Sequence, residues 1–263
     1  MKASPSSDPA STFTRAIVRT PGPDAGSGLT TAKLGRPDIR LLQAQHTAYI
    51  EILRTLGLEV TVLPPLPGFP DAYFVEDAAV VTPAIAVITR PGAPSRRGEI
   101  ESIEMVLAQL LPVARIEPPG TLDGGDVLRV ENRFYIGRSV RTNDSGARQL
   151  GRILDKHGYE GRVVPVGPGL HLKSSVNTLG GRNLVFAAGA PFRDAFADCR
   201  SIVLGPGDDY AANTLWINGT LLVPFGFPEA RGEIGRLSLP VIEVAMSEMR
   251  KMDGGLTCLS LRF

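Results

Sequence analysis

The sequence predicts an α/β fold in which a strand-strand-helix unit repeats and closes into a pseudo-symmetric ring, and three observations predict it. Pairs of short apolar runs joined by tight polar turns recur along the chain. Amphipathic helical stretches lie between the pairs. Glycine and proline, 29 and 22 residues, are scattered through turns rather than gathered into a linker, so one domain accounts for the chain.

The first unit is diverged, with a single apolar run at 15–20 ahead of a helical pattern over 37–56, where apolar residues recur at three- and four-residue spacing. Runs at 77–81 and 85–90 then flank Thr82-Pro83-Ala84, followed by a helical pattern at 99–111. Runs at 126–131 and 134–137 flank Asn132-Arg133 and lead into a helical pattern at 144–157. Runs at 174–179 and 183–187 flank Gly180-Gly181-Arg182. The last pair, 214–217 and 221–223, turns at Asn218-Gly219-Thr220, and Asn-Gly is the strongest hairpin signal of the set. In such a ring, loops leaving equivalent strand ends converge on one central hollow, where residues distant in sequence meet.

The 263 residues include 28 basic and 27 acidic ones, a net charge of +1 that lacks the field nucleic-acid binding exploits, so no nucleic-acid partner is expected. Two cysteines, Cys199 and Cys258, are too few for a disulfide framework, and no Cys/His cluster has metal-ligand spacing. No run approaches the roughly 18 apolar residues that span a bilayer, and the N-terminus has no apolar signal core. The expectation is a soluble, cytoplasmic protein with no membrane partner. Residues 1–14, rich in Ser and Pro, are expected to be disordered ahead of a single domain over 15–263.

The loops around the strands carry charge beside glycine. Glu76 and Asp77 interrupt an apolar stretch, Tyr73-Phe74-Val75 before and Ala78-Ala79-Val80-Val81 after, where burial is expected. A buried carboxylate without a partner costs several kcal/mol, so this pair and nearby Asp71 require a cation, and a guanidinium ligand is one. Asp123-Gly-Gly-Asp126 reads equally as a turn before a strand or as a loop whose glycines let backbone approach a ligand between inward carboxylates. His46 and His157 fall on helical patterns and read as structural or surface residues. His171 stands at a strand entrance, with a titration range suited to acid–base work and Asp123 as a candidate partner.

Cys199 reads as a small buried hydrophobe. Cys258 follows Gly254-Gly255 and precedes a closing apolar strand; alone it is as readily a core thiol as a nucleophile, and His171 and the carboxylates make it a candidate nucleophile. Arg96 and Arg141 adjoin the acidic clusters, where a guanidinium suits bidentate capture of a substrate carboxylate.

Five ordered motifs, Phe74-Val-Glu-Asp77, Thr121-Leu-Asp-Gly-Gly-Asp126-Val, Arg141-Thr-Asn143, Leu170-His-Leu-Lys173 and Asp253-Gly-Gly-Leu-Thr-Cys258, closely resemble those of the dimethylarginine dimethylaminohydrolases of the guanidine-modifying, or amidinotransferase, superfamily. The resemblance covers 15–263 and implies a five-bladed pseudo-symmetric α/β propeller of ββαβ-type units. It implies Cys258 as the nucleophile, His171 as the general acid/base and Asp123 as the carboxylate that orients the histidine, where relatives often carry Glu. It puts Asp71, Glu76 and Asp77 on the guanidinium side and Arg96 and Arg141 on the substrate α-carboxylate. The Leu29 loop would cover the substrate, with the Met252 carbonyl at its amino acid end. The implied partner is a small molecule, methylated arginine, and a homodimer is compatible with the reading.

The chemistry explains why these residue types are needed together. A guanidinium carbon is a poor electrophile and demands a thiolate, yet a free cysteine of pKa about 8.5 is only a few per cent ionised at neutral pH. The bound cation would favour ionisation. In the implied scheme Cys258 adds to the carbon, His171 protonates the departing methylamine or dimethylamine, and an S-alkylthiouronium remains until water activated by His171 releases citrulline. No metal or organic cofactor is required.

Two rivals stay open. One is a deiminase of arginine or another small guanidine; the chain lacks the longer helical insertion of arginine deiminases and the length of an amidinotransferase. The other is a non-catalytic propeller binding protein, a fold that a ribosome-associated initiation factor also uses, but a binder needs no Cys258, His171 and carboxylate set.

Overall fold

The computed structural model describes residues 12–167 and 170–263. Among them, strands gather into five three-stranded sheets built by one rule: a middle strand pairs antiparallel with one neighbour and parallel with the other. The first unit contributes β1 (Arg15–Arg19), α1 (Ile39–Thr55) and β2 (Glu59–Leu63). The second is β3 (Ala79–Val81), β4 (Ala86–Ile88), α2 (Ile100–Leu107) and β5 (Val113–Arg115). The third is β6 (Val127–Val130), β7 (Arg133–Arg138), α3 (Asp144–Asp155) and β8 (Glu160–Pro165). The fourth, β9 (Val176–Thr178), β10 (Asn183–Phe186) and β11 (Arg200–Val203), crosses over through a 3₁₀ turn (Arg193–Phe196) where its neighbours use an α-helix. The fifth is β12 (Leu215–Ile217), β13 (Thr220–Pro224), α4 (Pro228–Gly235) and β14 (Val241–Val244), and a short α5 (Ser247–Arg250) leads on to β15 (Leu261–Arg262).

β15 pairs antiparallel with β1, Ala16 opposite Arg262 and Ile17 opposite Leu261. The end of the chain thus completes the first sheet and closes the ring, which is why the N-terminal unit looks diverged in sequence. The architecture is the five-bladed α/β propeller of ββαβ-type units. Its inner strands β3, β6, β9, β12 and β15 all line a central cavity of about 150 Å³.

Local chemistry sets the element ends. The Asp38 carboxylate accepts from Arg40 N at 2.9 Å and Leu41 N at 3.1 Å and so caps α1; Asn143 caps α3 by accepting from Gly146 N at 2.8 Å. The helices stop short of the patterns at 37–56 and 144–157 because Gly57 and Gly158 take left-handed φ of 90° and 79°. At the last hairpin Asn218 and Gly219 both have positive φ, 46° and 85°, the backbone a two-residue primed turn demands.

Each helix buries one face between blades. Leu42, Tyr49 and Leu53 of α1 pack on Ala16, Val18, Leu215 and Leu222, while Leu150 and Leu154 of α3 pack on Val127, Phe134 and Ile136. Each such side chain contributes about 1.5–3 kcal/mol. His46 is buried on α1, and burial pulls its pKa down to about 4, as befits a structural histidine. Cys199 is half-buried against the third-to-fourth blade core.

The expectation of disorder over 1–14 lies outside the described residues for 1–11. Phe13 is fastened: its N–H donates to Asn218 Oδ1 and its carbonyl accepts from Asn218 Nδ2, both at 2.8 Å, and Thr14 N donates to Phe263 O at 3.0 Å. Residues 13 and 14 are therefore tied into the fold. No helix among the described residues is long and apolar enough to cross a membrane.

Candidate active site

Each inner strand is preceded by a 3₁₀ turn: Val75–Ala78 before β3, Gly124–Asp126 before β6, Leu172–Ser174 before β9, Asp209–Ala212 before β12 and Thr257–Leu259 before β15. Equivalent backbone bonds close them, among them Asp126 N to Asp123 O at 3.0 Å, Ser174 N to His171 O at 3.2 Å and Cys258 N to Gly255 O at 3.2 Å. Residues expected at strand starts thus sit one step earlier. Asp77, Asp126 and Cys258 lie within the turns and His171 immediately ahead of one. Neighbouring residues of a tight turn point to different sides. Glu76, Lys173 and Thr257 accordingly line the central cavity, whereas Asp77, His171 and Cys258 do not.

The two glycines of Asp123-Gly-Gly-Asp126 are there for close approach. A Cβ on Gly124 would lie 1.9 Å from Glu76 O, and one on Gly125 would lie 2.6 Å from His171 Nδ1. The loop can therefore press against two other site turns at once. Asp77, Asp123 and His171, all buried, bring their polar atoms within 4.8 Å of one another. His171 Nε2 is 3.0 Å from Asp123 Oδ2 and 4.0 Å from Asp77 Oδ1. The shorter Asp123 side chain reaches the histidine, and the Gly92 amide donates to its other oxygen at 2.8 Å. Asp77 accepts from Gly125 N at 2.8 Å and from Arg96 Nη1 at 2.5 Å. Asp126 accepts from Ser139 Oγ, Thr142 Oγ1 and Leu172 N at 2.6, 2.7 and 2.9 Å, which fixes the turn beside His171.

The electrostatics follow from this packing. Burial pushes the His171 pKa down, but the carboxylates of Asp77, Asp123 and Asp126 outweigh it and carry it up to about 9. Burial works against the Asp77 carboxylate as well, yet His171, Arg96 and the Gly125 amide hold it below the usual range. Burial raises Asp71 and Asp126. The spacing of Asp77, Asp123 and His171 alone would suit a divalent cation, but Asp77 is already paired and His171 is protonated at neutral pH. The trio is an acid–base cluster whose two carboxylates face the His171 ring and the guanidinium groups of Arg96 and Arg141.

Cys258 Sγ accepts from Gly255 N at 3.4 Å. Burial first, and then the charges of Glu76 and Asp77, push its thiol up to about 12. The free site therefore holds a neutral thiol.

The remaining expected residues fall into place unevenly. Asp71 accepts from Leu29 N through both oxygens, at 3.1 and 3.0 Å, so the Leu29 loop is fastened onto this carboxylate. The loop is held further by Thr30 Oγ1 donating to Lys251 O at 2.9 Å and by Thr31 N and Oγ1 donating to Asp253 Oδ2 at 2.5 and 2.9 Å. Met252, between those anchors, keeps its side chain in the core. Arg141 Nη1 reaches Asp123 Oδ2 at 3.4 Å from a half-buried position.

Two residues depart from the expectation. Arg96 is 5% exposed; its Nε donates to Glu99 at 3.0 and 3.1 Å and its Nη2 to Glu99 Oε2, Phe74 O and Asp71 O at 2.8, 3.1 and 3.3 Å. It holds Asp77 and the 71–74 turn in place, leaving one Nη1 proton for a ligand. Glu76 accepts from Lys173 Nζ at 2.7 Å, Arg262 Nη2 at 3.2 Å and Thr257 Oγ1 at 2.8 Å, so its charge is met by this chain rather than kept for a guanidinium. Sequence reasoning passed over Arg262, Gly92 and Asn213. Asn213 carried a usable signal, since Asn213-Thr214 interrupts the run from Ala211-Ala212 to Leu215 as Glu76-Asp77 interrupts its own.

No family model matches the chain. It is similar to the N(G),N(G)-dimethylarginine dimethylaminohydrolase of Pseudomonas aeruginosa, 46% identical over 253 residues, 95% of this chain and 100% of that protein. The Streptomyces coelicolor protein of the same name is 36% identical over 250 residues, 94% of this chain and 96% of that one. Among solved structures, a Cys-to-Ser mutant of the Pseudomonas aeruginosa protein complexed with citrulline superposes with a TM-score of 0.92, covering 96% of this chain and 100% of that chain at 46% identity. A His-to-Gly dimethylarginine dimethylaminohydrolase in adduct with S-methyl-L-thiocitrulline gives the same TM-score, identity and coverage. A half-buried thiol beside carboxylates, with a histidine held by one carboxylate at the hub of an α/β propeller, defines the class of cysteine-dependent enzymes of guanidine chemistry. With 46% identity across nearly the whole of both chains, this chain belongs to the dimethylarginine dimethylaminohydrolase family.

Proposed function

We propose that this chain hydrolyses ω-N-methylated arginines, asymmetric dimethylarginine and monomethylarginine, to citrulline and the corresponding methylamine through a covalent intermediate on Cys258. The observation that carries the reading is the charge balance at the thiol, which burial, Glu76 and Asp77 keep neutral until a cation arrives. A guanidinium about 4 Å from the sulfur at an effective dielectric near 20 would stabilise the thiolate by about 4 kcal/mol. That raises the thiolate population roughly a thousandfold. Substrate binding and nucleophile activation are then one event.

In this scheme the thiol gives up its proton to solvent as the substrate docks, His171 being already protonated, and the Cys258 thiolate adds to the guanidinium carbon. His171, protonated below about pH 9, passes its proton to the departing amine as the C–N bond breaks, leaving an S-alkylthiouronium. The neutral imidazole takes a proton from water as the water attacks the same carbon, and the C–S bond then breaks while the added hydroxyl loses its proton to solvent, giving citrulline and the thiolate. Asp123 orients the imidazole throughout. Asp71 and Asp77 hold the guanidinium, Glu76 supports that side through its fixed charge, and Arg141 with the remaining Arg96 proton takes the α-carboxylate. The Leu29 loop and the Met252 carbonyl close over the amino acid end. We read the chain from residue 15 onward as one catalytic domain of a cytoplasmic enzyme without nucleic-acid or membrane partners, an arrangement that accommodates a homodimer.

Citrulline release from asymmetric dimethylarginine, monomethylarginine and arginine, measured in parallel with Cys258→Ser as control and a chelator present, tests the reading. Turnover of the methylated substrates that disappears in the variant supports it. Turnover of arginine alone would make the protein a deiminase, and turnover of none would remove the catalytic reading.

A further inference from the structure

The fifth blade supplies none of the groups assigned above, yet one of its side chains is wedged between the turns that carry the nucleophile and the histidine. Asn213, 7% exposed, ends the Asp209–Ala212 turn. Its Oδ1 accepts from Thr257 N at 3.0 Å, the backbone atom next to Cys258. Its Nδ2 donates to Lys173 O at 3.1 Å, two residues beyond His171, and to Thr257 Oγ1 at 3.3 Å. The amide group also lies flat on Gly255: a Cβ there would sit 2.3 Å from Asn213 Cγ. Gly255 is the residue whose N–H donates to Cys258 Sγ. The same turn reaches the nucleophile loop a second time, through Tyr210 Oη donating to Gly254 O at 2.9 Å.

We propose that Asn213 is a positioning residue for the reaction, setting the separation of the Cys258 turn from the His171 turn and aiming the Gly255 N–H at the sulfur. It touches neither substrate nor reacting atoms. Only a planar group with an acceptor and a donor on opposite edges can engage Thr257 N and Lys173 O together. Aspartate keeps the acceptor but turns an oxygen towards the Lys173 carbonyl, and alanine removes both contacts and leaves the glycine face uncovered. Asn177 fixes the far side of the same carbonyl, donating to Lys173 O at 2.7 Å and Ala212 O at 2.8 Å, but does not reach Thr257. It provides a variant of comparable burial that loosens Lys173 and Ala212 but removes no bond to Thr257 or Gly255.

The inference rests on Cys258 being the nucleophile, so wild-type turnover and its loss in Cys258→Ser are established first and report on that reading alone. Asn213→Ala, Asn213→Asp and Asn177→Ala are then compared for melting temperature, kcat and KM with asymmetric dimethylarginine, and the pH dependence of Cys258 alkylation by iodoacetamide without substrate. Loss of nucleophile alignment lowers kcat about a hundredfold in both Asn213 variants, with KM within about threefold of wild type. The alkylation profile moves to higher pH because the Gly255 N–H no longer meets the sulfur, while Asn177→Ala lowers the melting temperature with the profile unmoved. Asn213→Asp has the wild-type shape, so it keeps the test open if the alanine variant fails to fold. Wild-type kcat and an unshifted alkylation profile in the folded fraction of either variant would overturn the proposal.

Discussion

His171 Nε2 stands 3.0 Å from Asp123 Oδ2, and the other oxygen of the same carboxylate is held by the Gly92 amide at 2.8 Å. A carboxylate fixed at both ends cannot swing away from the ring it orients, so it both aims the imidazole and helps keep it protonated. Gly92 makes this fit, since a Cβ there would lie 2.3 Å from Arg141 O. Replacing Asp123 by Asn keeps the shape and removes the charge. The His171 pKa should then fall by about 1–3 units and citrulline formation should drop with it. Histidine titration followed by NMR is the check; an imidazole that still titrates near 9 would assign the raised pKa to Asp77 and Asp126 alone.

Stability should fall as the solution is made alkaline, in two stages. His171 titrates at about 9 in the folded protein against 6.5 when exposed, so its contribution is fully present below pH 6.5 and is lost as pH rises through 9. This amounts to roughly 3 kcal/mol. Cys258 follows with the same sign: from 9 to about 12 the folded protein keeps a proton that the unfolded chain releases. Urea unfolding at pH 6, 9 and 10.5 should show a steady decline, and a His171→Gln variant should be flat over the first stage.

Arg96 and Arg141 should respond differently to lysine. At Arg96 the substitution dismantles a buried fork to Glu99 and Asp77, so a loss of about 3–5 kcal/mol in stability is expected together with weaker substrate binding. Arg141 is less buried, and its lysine variant should raise KM with the melting temperature nearly unchanged. Equal behaviour of the two variants would contradict the distinct placements of their side chains.

The Leu29 loop has its outer anchor at Asp253. Asp253→Ala removes both bonds to Thr31, each to a charged acceptor, and should raise KM about tenfold while speeding hydrogen exchange of the 28–32 amides. Unaltered exchange would mean that Asp71 and the Lys251 carbonyl suffice to hold the loop.

Gly124→Ala places a methyl group 1.9 Å from Glu76 O, against backbone that cannot yield without moving the Asp77 turn. A loss of about 1–3 kcal/mol or more is expected, with activity falling further than stability because the displaced turn carries Asp77. A melting temperature within a degree of wild type would show that the turns are not in contact.

Much of this was legible in the sequence for identifiable reasons. Hairpins whose turns demand special backbone, such as Asn218-Gly219, were readable from the residues that supply it. Carboxylates interrupting apolar runs marked the hub, and they are buried there. The 3₁₀ turns were not legible, because apolar residues on both sides of Asp77 and Cys258 mimic the start of a strand. The crossover of the fourth blade lost its helix where Gly189 and Pro191 break the segment. The partners of Arg96 and Glu76 could not be read either. Which cation meets which anion is decided by turn geometry: Glu76 and Asp77 are adjacent in sequence, yet one faces the central cavity and the other faces the histidine.

The strand that closes the ring is also the strand that delivers the thiol. β15 follows Cys258 by only a few residues, and its pairing with β1 holds the Cys258 turn against Glu76 and Asn213. On the proposed function, catalytic competence is therefore a property of the completed circle, because one seam both shuts the ring and seats the sulfur.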